Sequence, residues 1–335
     1  MVLFVAHAED PDGIIARALL MRYFMTTESN PENHVLVRYD RIVRSFQEAQ
    51  RKAEHHKSIF IADVDVNGRL YGAATASSLF ERLAEGRNVF WFDHHEGTEP
   101  RKHGQELTDA GINVFYQENQ CAAMLIAQHL HVTDPYDRRL ARIAQAHDYQ
   151  KFAKPKQARN IQIGNELEKV IAVANENLND DLLLKLSCDL AEQKCFDRRY
   201  DLRPAWKVYA DDFDARAPAA LKELDESVEI SKVGKHTVLF GYCPALLSQK
   251  NGPRHLQQKY EDEAEVFVTL FKPPVRNHIV VSSKKSSFRV APLVENLSGG
   301  GRDNSGGFSV DYDLTAQNYP LVKAMLVSKI KRFSQ

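Results

Sequence analysis

Residues 88–95 read Asn-Val-Phe-Trp-Phe-Asp-His-His, a short apolar run that ends in one carboxylate and two imidazoles. A run of this length, rich in β-branched and aromatic side chains, predicts a buried strand over Asn88–Phe92. Asp93, His94 and His95 then stand at the carboxyl end of that strand. In open α/β sheets the ligand crevice lies at this end. The stretch therefore predicts a functional site at the edge of a sheet.

The same pattern recurs elsewhere in the first half of the chain. Polar residues follow other predicted elements at once: His7, Asp10 and Asp12 follow Val2–Ala6, Asp63 and Asp65 follow Ser58–Ala62, and Asp148 ends a helical run. These side chains offer carboxylate oxygen and imidazole nitrogen but no thiolate, which suits Mn²⁺ or a similar ion rather than structural zinc. A single aspartate after a strand is more often a helix N-cap than a ligand. Four such clusters in succession favour a metal site.

Predicted strands and helices alternate through this half. The strands are Val2–Ala6, His34–Val37, Ser58–Ala62, Asn88–Phe92 and Ile112–Tyr116, and the helices between them are Ile14–Phe24, Ile42–His55 and Leu70–Ala84. Alternation of this kind predicts an α/β fold with a mostly parallel sheet and helices on both faces.

The rest of the chain predicts a second, smaller α/β domain. Helix dominates between residues 120 and 230, with residues 177–201 as a connecting helix and a polar stretch at 211–214 between the domains. Strand patterns return at His236–Tyr242, Glu265–Phe271, His278–Ser282 and Phe308–Asp311, before a last helix at Pro320–Lys331. At roughly 150 residues per domain, 335 residues suggest two domains. We expect a first domain at residues 1–200, a helical linker at 201–234 and a second domain at 235–335.

Composition excludes several classes of protein. Lys and Arg total 44 against 45 Asp and Glu, a net charge of −1, whereas proteins that coat long nucleic acid usually carry a positive excess. No run approaches the ~18 apolar residues of a membrane span. The first residues lack the cationic lead of a secretory signal, and the four cysteines form no C-x-x-C pair. We expect a cytoplasmic protein with reduced thiols and no membrane contact.

The order of these motifs resembles the DHH phosphoesterase superfamily, which includes RecJ-type exonucleases, nano-RNases, cyclic-dinucleotide phosphodiesterases and family II pyrophosphatases. Asp93-His94-His95 matches its signature. Residues 299–308 read Gly-Gly-Gly-Arg-Asp-Asn-Ser-Gly-Gly-Phe, similar to the glycine-rich loop of the DHH-associated C-terminal domain, and hold five of the sixteen glycines. The resemblance covers essentially the whole chain. It implies a catalytic DHH domain followed by a substrate-binding domain.

The resemblance also implies two divalent metal ions, with Mn²⁺ expected and Mg²⁺ or Co²⁺ as alternatives. The implied ligands are His7, Asp10 and Asp63 for one ion, and Asp12, Asp63, His94 and Asp148 for the other, with Asp63 shared. His95 would face the scissile phosphate as a catalytic residue. Asp93 would hold the imidazoles by hydrogen bonds, as metal-bound histidines usually require.

A separate set of residues is implied to bind substrate. Glycines let backbone N–H groups approach an anion closely, and the resemblance implies that Gly299, Gly300 and Gly301 bind a terminal phosphate or nucleotide. Arg302 would add a bidentate phosphate contact. Lys284 and Lys285 stand where the family supplies a basic contact, with a solvated surface position as the equal alternative.

Two positions depart from the family pattern. Asp10 comes three residues after His7, where the usual forms place it two or four residues after. Either the loop adjusts, or Asp10 works with a group other than His7. Arg302 replaces the usual histidine of the glycine loop; because arginine keeps its proton, it can bind phosphate but cannot act in acid–base chemistry.

These inferences favour a phosphodiesterase that hydrolyses short oligonucleotides or linear dinucleotides such as pGpG to 5′-mononucleotides. A net charge near zero gives weak long-range capture of polymer. Three alternatives stay open. They are a RecJ-like exonuclease on longer single-stranded DNA or RNA, a phosphatase of phosphoadenosine phosphate or hydrolase of polyphosphate or pyrophosphate, and a nucleotide-binding protein without turnover. The oligomeric state is also open, with a homodimer among the candidates.

Overall fold

The computed structural model describes residues 1–26, 30–150, 154–272, 277–284, 288–310, 312 and 314–333. The chain forms two compact units, one of Met1–Asn175 with Asn179–Asp212 and one of Glu176–Leu178 with Phe213–Gln335. The boundary between the units falls inside one long helix, Pro204–Glu226. The polar residues 211–214 therefore lie within a helix.

The first unit is built on a five-stranded parallel sheet. Its strands are β1 (Val2–His7), β2 (His34–Val37), β3 (Ser58–Ala62), β4 (Asn88–Asp93) and β5 (Ile112–Tyr116). Their order is β2-β1-β3-β4-β5, and each neighbouring pair is parallel. The predicted α/β fold is confirmed, and no predicted strand of this sheet differs from the observed one by more than one residue at either end.

Helices pack on both faces of this sheet. The helices up to the unit boundary are α1 (Pro11–Tyr23), α2 (Ile42–Ala53), α3 (Gly68–Ser77), α4 (Leu79–Ala84), α5 (Gln105–Asp109), α6 (Ala122–His129), α7 (Pro135–Asp148), α8 (Ala158–Glu176), α9 (Asp180–Ala191) and α10 (Pro204–Glu226). Because successive strand residues point to opposite faces, Phe4 and Phe60 join a core with α1, α6 and α7. Leu3 and Ile59 join the other core, with α2, α3 and α4.

Two predicted helices of this unit need correction. The single helix predicted for Leu70–Ala84 is broken at Ser78, whose φ of +47° is left-handed and separates α3 from α4. The connecting helix predicted for residues 177–201 is wrong. Its leucine-rich part is α9, which ends at Ala191 and packs in the same core as α1. The apolar face of α9 is buried within the first unit, so α9 does not connect the units. The helix that spans the unit boundary is α10.

The second unit contains a six-stranded mixed sheet. Its strands are β6 (Glu229–Val233), β7 (His236–Cys243), β8 (Val266–Phe271), β9 (His278–Ser283), β10 (Gly300–Arg302) and β11 (Ser305–Ser309). The order is β10-β11-β9-β8-β7-β6, and only β7 and β8 pair in parallel among the described strands. The helices are α11 (Asn251–Lys259), α12 (Ala291–Glu295) and α13 (Tyr319–Phe333). Residues of α12 and α13 pack with one face of the sheet.

The glycine-rich segment forms a hairpin rather than an open loop. Gly300–Arg302 pairs antiparallel with Ser305–Gly307, which also moves the strand predicted at Phe308–Asp311 to Ser305–Ser309. Gly301 has a φ of +149°, and a Cβ there would lie 2.2 Å from the Cα of Gly306. The hairpin itself therefore requires glycine at this position. Phosphate binding by these glycines stays a prediction.

Of the basic residues assigned to substrate, the side chain of Arg302 and the whole of Lys285 lie outside the described residues. Asp311, the last residue of the strand predicted at Phe308–Asp311, lies outside them too. Lys284 forms an ion pair with Glu261. Such a pairing is the ordinary behaviour of a surface lysine, so a substrate role for Lys284 stays a prediction without structural support.

Two further expectations concerned the cysteines and a membrane-spanning segment. Cys121, Cys188, Cys195 and Cys243 are buried free thiols. Among the described residues, no helix combines the length and apolar character needed to cross a bilayer.

Replacing Gly13 by alanine should destabilise the first unit. The first turn of α1 packs so closely on the end of β1 that a Cβ on Gly13 would lie 2.2 Å from the carbonyl oxygen of His7. We expect Gly13→Ala to lower the free energy of unfolding by about 1–3 kcal/mol in urea denaturation, because backbone must shift to admit the methyl group. Gly72→Ala in α3 is the matched control. No atom lies within 4 Å of its added Cβ, so helix propensity should raise stability by up to about 1 kcal/mol. Equal effects of the two substitutions would contradict this close packing.

Candidate metal centre

Asp63 lies at the edge of the sheet where three adjacent strands end. The register aligns Ala6, Ala62 and Phe92, and the residues that follow them are His7, Asp63 and Asp93. The backbone N–H of Asp63 donates to the carbonyl of Phe92 at 2.9 Å. The strand-end clusters seen in the sequence therefore converge at one place, as parallel pairing requires.

The backbone and side chain of Asp63 are both unusual. Its φ of +59° is left-handed, a conformation that residues other than glycine rarely adopt and that occurs often at functional sites. The side chain is only 1% exposed, yet its oxygens face two imidazoles. Oδ2 lies 3.2 Å from His7 Nδ1, and Oδ1 lies 3.3 Å from His94 Nε2. One buried carboxylate thus stands between two histidines.

The first ligand group contains His7, Asp10 and Asp63, whose ligand atoms all lie within 4.8 Å of one another. Asp10 caps α1, and its Oδ1 accepts from the backbone N–H of Asp12 at 3.0 Å. The same Oδ1 lies 3.7 Å from His7 Nδ1. The loop thus brings Asp10 beside His7 despite the three-residue spacing. The other ring nitrogen, Nε2, is buried without a hydrogen-bond partner, with Glu9 Oε2 3.6 Å away.

The second ligand group contains Asp63, Asp93, His94 and His95, again within 4.8 Å of one another. Within it, Asp93 Oδ1 lies 2.7 Å from His95 Nδ1, and Asp93 Oδ2 accepts from the hydroxyl of Thr98 at 2.6 Å. Asp93 is completely buried, whereas the His95 side chain is 33% exposed. Asp93 therefore bonds to the His95 ring, and the expectation that it holds both imidazoles stays a prediction.

Asp12 and Asp148 lie next to these two groups but belong to neither. Both Asp12 oxygens accept backbone hydrogen bonds from the start of α6, from Ala122 at 2.7 Å and from Ala123 at 2.9 Å. Asp148 Oδ2 lies 3.6 Å from His94 Nδ1. Asp12 and Asp148 thus lie near Asp63 and His94, and their ligand role stays a prediction.

Charges at the site influence one another strongly. Burial and the charge of Asp63 raise the pKa of Asp12 well above its ordinary value. Burial lowers the pKa of His95, but the charge and hydrogen bond of Asp93 outweigh it and raise the pKa to about 10. Burial opposes ionisation of Asp93, yet the charge and hydrogen bond of His95 hold its pKa below the usual value. Asp93 and His95 are therefore an ion pair at neutral pH.

The donor set fits divalent metal ions. Both groups combine carboxylate oxygen with imidazole nitrogen and contain no thiolate. The close approach of buried carboxylates is a feature that a cation nearby would stabilise. Oxygen and imidazole ligands suit Mn²⁺, Mg²⁺ or Co²⁺ better than a structural zinc ion.

Comparison with known proteins identifies the fold. No family model matches the chain, and no curated protein matches its sequence. Among solved structures, exonuclease RecJ bound to manganese is similar with a TM-score of 0.56 at 13% identity, over 99% of this chain and 90% of that chain. The pGpG-specific phosphodiesterase PggH from Vibrio cholerae has a TM-score of 0.51 at 12% identity, over 99% of both chains. RecJ in complex with Mg²⁺ from Thermus thermophilus has a TM-score of 0.50 at 13% identity, over 99% of this chain and 50% of that chain.

The chain has the same fold as these exonuclease and phosphodiesterase structures. The resemblance that the motifs indicated is thereby confirmed for the fold. The roles proposed for the site residues rest on the distances given above.

Sequence analysis missed four side chains at the edge of the DHH sheet: Glu9, Tyr39, Thr98 and Tyr149. The Tyr39 ring lies 4.8 Å from the His7 ring, and its hydroxyl accepts from the backbone N–H of Asp65 at 3.1 Å. Its position just after β2 was a usable signal, since polar residues follow the other strands too. Thr98 and Tyr149 carry no such signal, because each acts through a contact that only the folded chain makes.

Removing the charge of Asp93 should lower the pKa of His95 from about 10 toward 6.5 in the metal-free protein. Asp93→Asn removes the negative charge that favours the imidazolium. An NMR titration of the His95 ring measures the change. Exposed Asp109→Asn is the control and should leave His95 unchanged.

The same pair makes stability depend on pH. A raised pKa means that the stabilisation from protonated His95 is complete below about pH 6.5 and is lost as the pH rises through about 10. The difference in free energy of unfolding between wild type and Asp93→Asn should therefore shrink over that window. A pKa of His95 that does not move in the variant would contradict the ion pair.

Proposed function

We propose that the chain is a metal-dependent phosphoesterase that hydrolyses short oligonucleotides or linear dinucleotides to 5′-mononucleotides. The observation that carries this proposal is the position of Asp63, whose two oxygens face His7 and His94 from one buried carboxylate. Two-metal phosphoryl-transfer sites hold their ions about 3.5–4 Å apart, a separation that a shared carboxylate supports. The DHH fold, found also in the phosphodiesterase PggH and the exonuclease RecJ, supports the same reaction class.

Asp63 would belong to the ligand sets of both ions. The first ion would be held by His7, Asp10 and Asp63, and the second by Asp12, Asp63, His94 and Asp148. When bound, the ions would supply Lewis-acid polarisation of phosphoryl oxygens and a lowered pKa for water. The chain contributes the geometry: Asp10 and Asp12 are held by the first turns of α1 and α6 respectively.

His95 would contact the substrate phosphate directly. Its Nδ1 is bonded to Asp93, so Nε2 is the ring nitrogen left to donate to an anionic oxygen. With a pKa of about 10, the imidazolium holds its proton firmly at neutral pH. An imidazolium in this position would stabilise the charge that develops on phosphoryl oxygens. Thr98 and burial keep Asp93 in place for this purpose.

The second unit would supply substrate binding. Gly299, Gly300 and Gly301 would bind a terminal phosphate, and Arg302 would add charge. Gly300 and Gly301 belong to the first strand of the hairpin, whereas the backbone N–H of Gly299 donates to the carbonyl of Val294 at 2.8 Å. A net charge of −1 supports a short substrate, because long polymers are captured mainly through a positive field.

Asp63→Asn tests the two-metal site. Asparagine adopts the left-handed conformation as readily as aspartate, so the variant removes one charge without adding backbone strain. We expect kcat for hydrolysis of pGpG with Mn²⁺ to fall by at least about 100-fold, with thermal unfolding little changed. Asp109→Asn, on an exposed residue of α5, is the control. Full activity in Asp63→Asn would overturn the proposal.

A substrate panel tests the preference for short substrates. The protein with Mn²⁺ would be given pGpG, 5-mer and 24-mer RNA, single-stranded DNA, phosphoadenosine phosphate and pyrophosphate, with EDTA as the blank. We expect the shortest RNAs to be cleaved fastest, with little response to salt. Preference for 24-mers, with activity that falls steeply as salt rises, would favour the RecJ-like exonuclease. No turnover of any substrate, with Mn²⁺ bound, would favour a nucleotide-binding protein.

A further inference from the structure

The hydroxyl of Tyr149 connects the His94 ring to a backbone carbonyl. Its Oη lies 2.6 Å from the carbonyl oxygen of Glu118 and 2.7 Å from Nδ1 of His94. A carbonyl oxygen can only accept, so the hydroxyl proton points to Glu118. The Oη lone pair then accepts from His94 Nδ1, which must carry a proton. The geometry thus assigns a proton to Nδ1 of the His94 ring.

This assignment determines which atom of His94 can bind a cation. A neutral imidazole with a proton on Nδ1 has its lone pair on Nε2. That nitrogen lies 3.3 Å from Asp63 Oδ1. We propose that Tyr149 is a positioning residue that fixes the His94 ring and presents Nε2 to a divalent ion at Asp63. This inference rests on the metal site of the proposed function.

The surroundings of His94 support Tyr149 as the partner that sets the ring. Among the described residues, Asp148 Oδ2 also lies near Nδ1, at 3.6 Å, which is beyond hydrogen-bond distance. The Tyr149 ring lies 5.7 Å from the His94 ring, and the His95 ring lies 4.4 Å from it. Tyr149 itself caps α7, where its backbone N–H donates to the carbonyl of Gln145. The helix end therefore fixes the backbone of Tyr149, and the carbonyl of Glu118 holds its hydroxyl.

His7 and His94 differ in the hydrogen bonding of the ring nitrogen that does not face Asp63. His7 Nε2, the nitrogen directed away from Asp63, has no hydrogen-bond partner. His94 Nδ1, the corresponding nitrogen, has Tyr149 at 2.7 Å. Hydrogen bonds of this kind fix the tautomer and raise the basicity of a ligating histidine. The Asp63–His94 side of the site is thus the more strongly preorganised of the two.

Tyr149→Phe tests the proposal, since it keeps the ring and removes only the hydroxyl. We expect the Kd for Mn²⁺, measured from free Mn²⁺ by electron paramagnetic resonance, to rise by about 10-fold. In metal-free protein at a pH where His94 is neutral, ¹⁵N NMR should show the Nδ1–H tautomer in wild type and a shift toward Nε2–H in the variant. The His94 signals are assigned from a His94→Gln spectrum. Tyr71→Phe is the control, because its hydroxyl contacts Glu106 at 3.4 Å and should change neither readout.

The two readouts separate this inference from the proposed function. An unchanged Mn²⁺ affinity together with an unchanged tautomer would overturn the role of Tyr149, and so would equal changes in Tyr71→Phe. If the wild type bound no Mn²⁺, the metal site would be refuted. The tautomer of metal-free His94 would still decide whether Tyr149 orients the ring.

Discussion

A buried carboxylate held between two imidazoles is the interaction on which the candidate site depends. Burial of a charge is costly unless partners compensate for it, and Asp63 has His7 on one oxygen and His94 on the other. This arrangement needs β3 to lie between β1 and β4 and needs a left-handed residue directly after β3. The sheet order and one strained dihedral angle together produce the pair of ligand groups.

Helix termini position the other carboxylates of the candidate site. Asp10 caps α1, Asp12 accepts from the first turn of α6, and α7 ends at Asp148. Carboxylates at helix N-termini are stabilised by unpaired N–H groups and by the helix dipole. These contacts hold Asp10 and Asp12 in place. The same edge of the sheet thus gathers groups from several elements whose positions are fixed by backbone hydrogen bonds.

Much of this arrangement could be predicted from the sequence, because its signals are local. The strands of the first sheet are short and apolar, and polar residues stand directly after them. These patterns predicted the strand bounds and the meeting of the polar residues at one edge of the sheet. Local patterns failed where tertiary contacts decide. They did not predict the break at Ser78, the burial of the α9 leucines in the core, or the pairing of the glycine segment as a hairpin.

The missed site residues have the same explanation. Tyr149 acts on a histidine 55 positions away in the chain, and Thr98 matters only because Asp93 turns toward it. No spacing rule of helices or strands relates these positions. Spacing alone also left the relation of Asp10 to His7 open, since whether a loop brings two side chains together depends on the helix that it enters.

The spread of the ligand residues along the chain has a consequence for folding. His7 and Asp148 are far apart along the chain. They reach the same edge of the sheet only when the parallel strands have paired across long crossovers. The unfolded chain offers no comparable cluster, so a divalent ion would bind the native state selectively. By mass action, an ion at 100 times its Kd would stabilise that state by about 2.7 kcal/mol. The supply of metal would then govern how long this protein survives proteolysis as well as how fast it works.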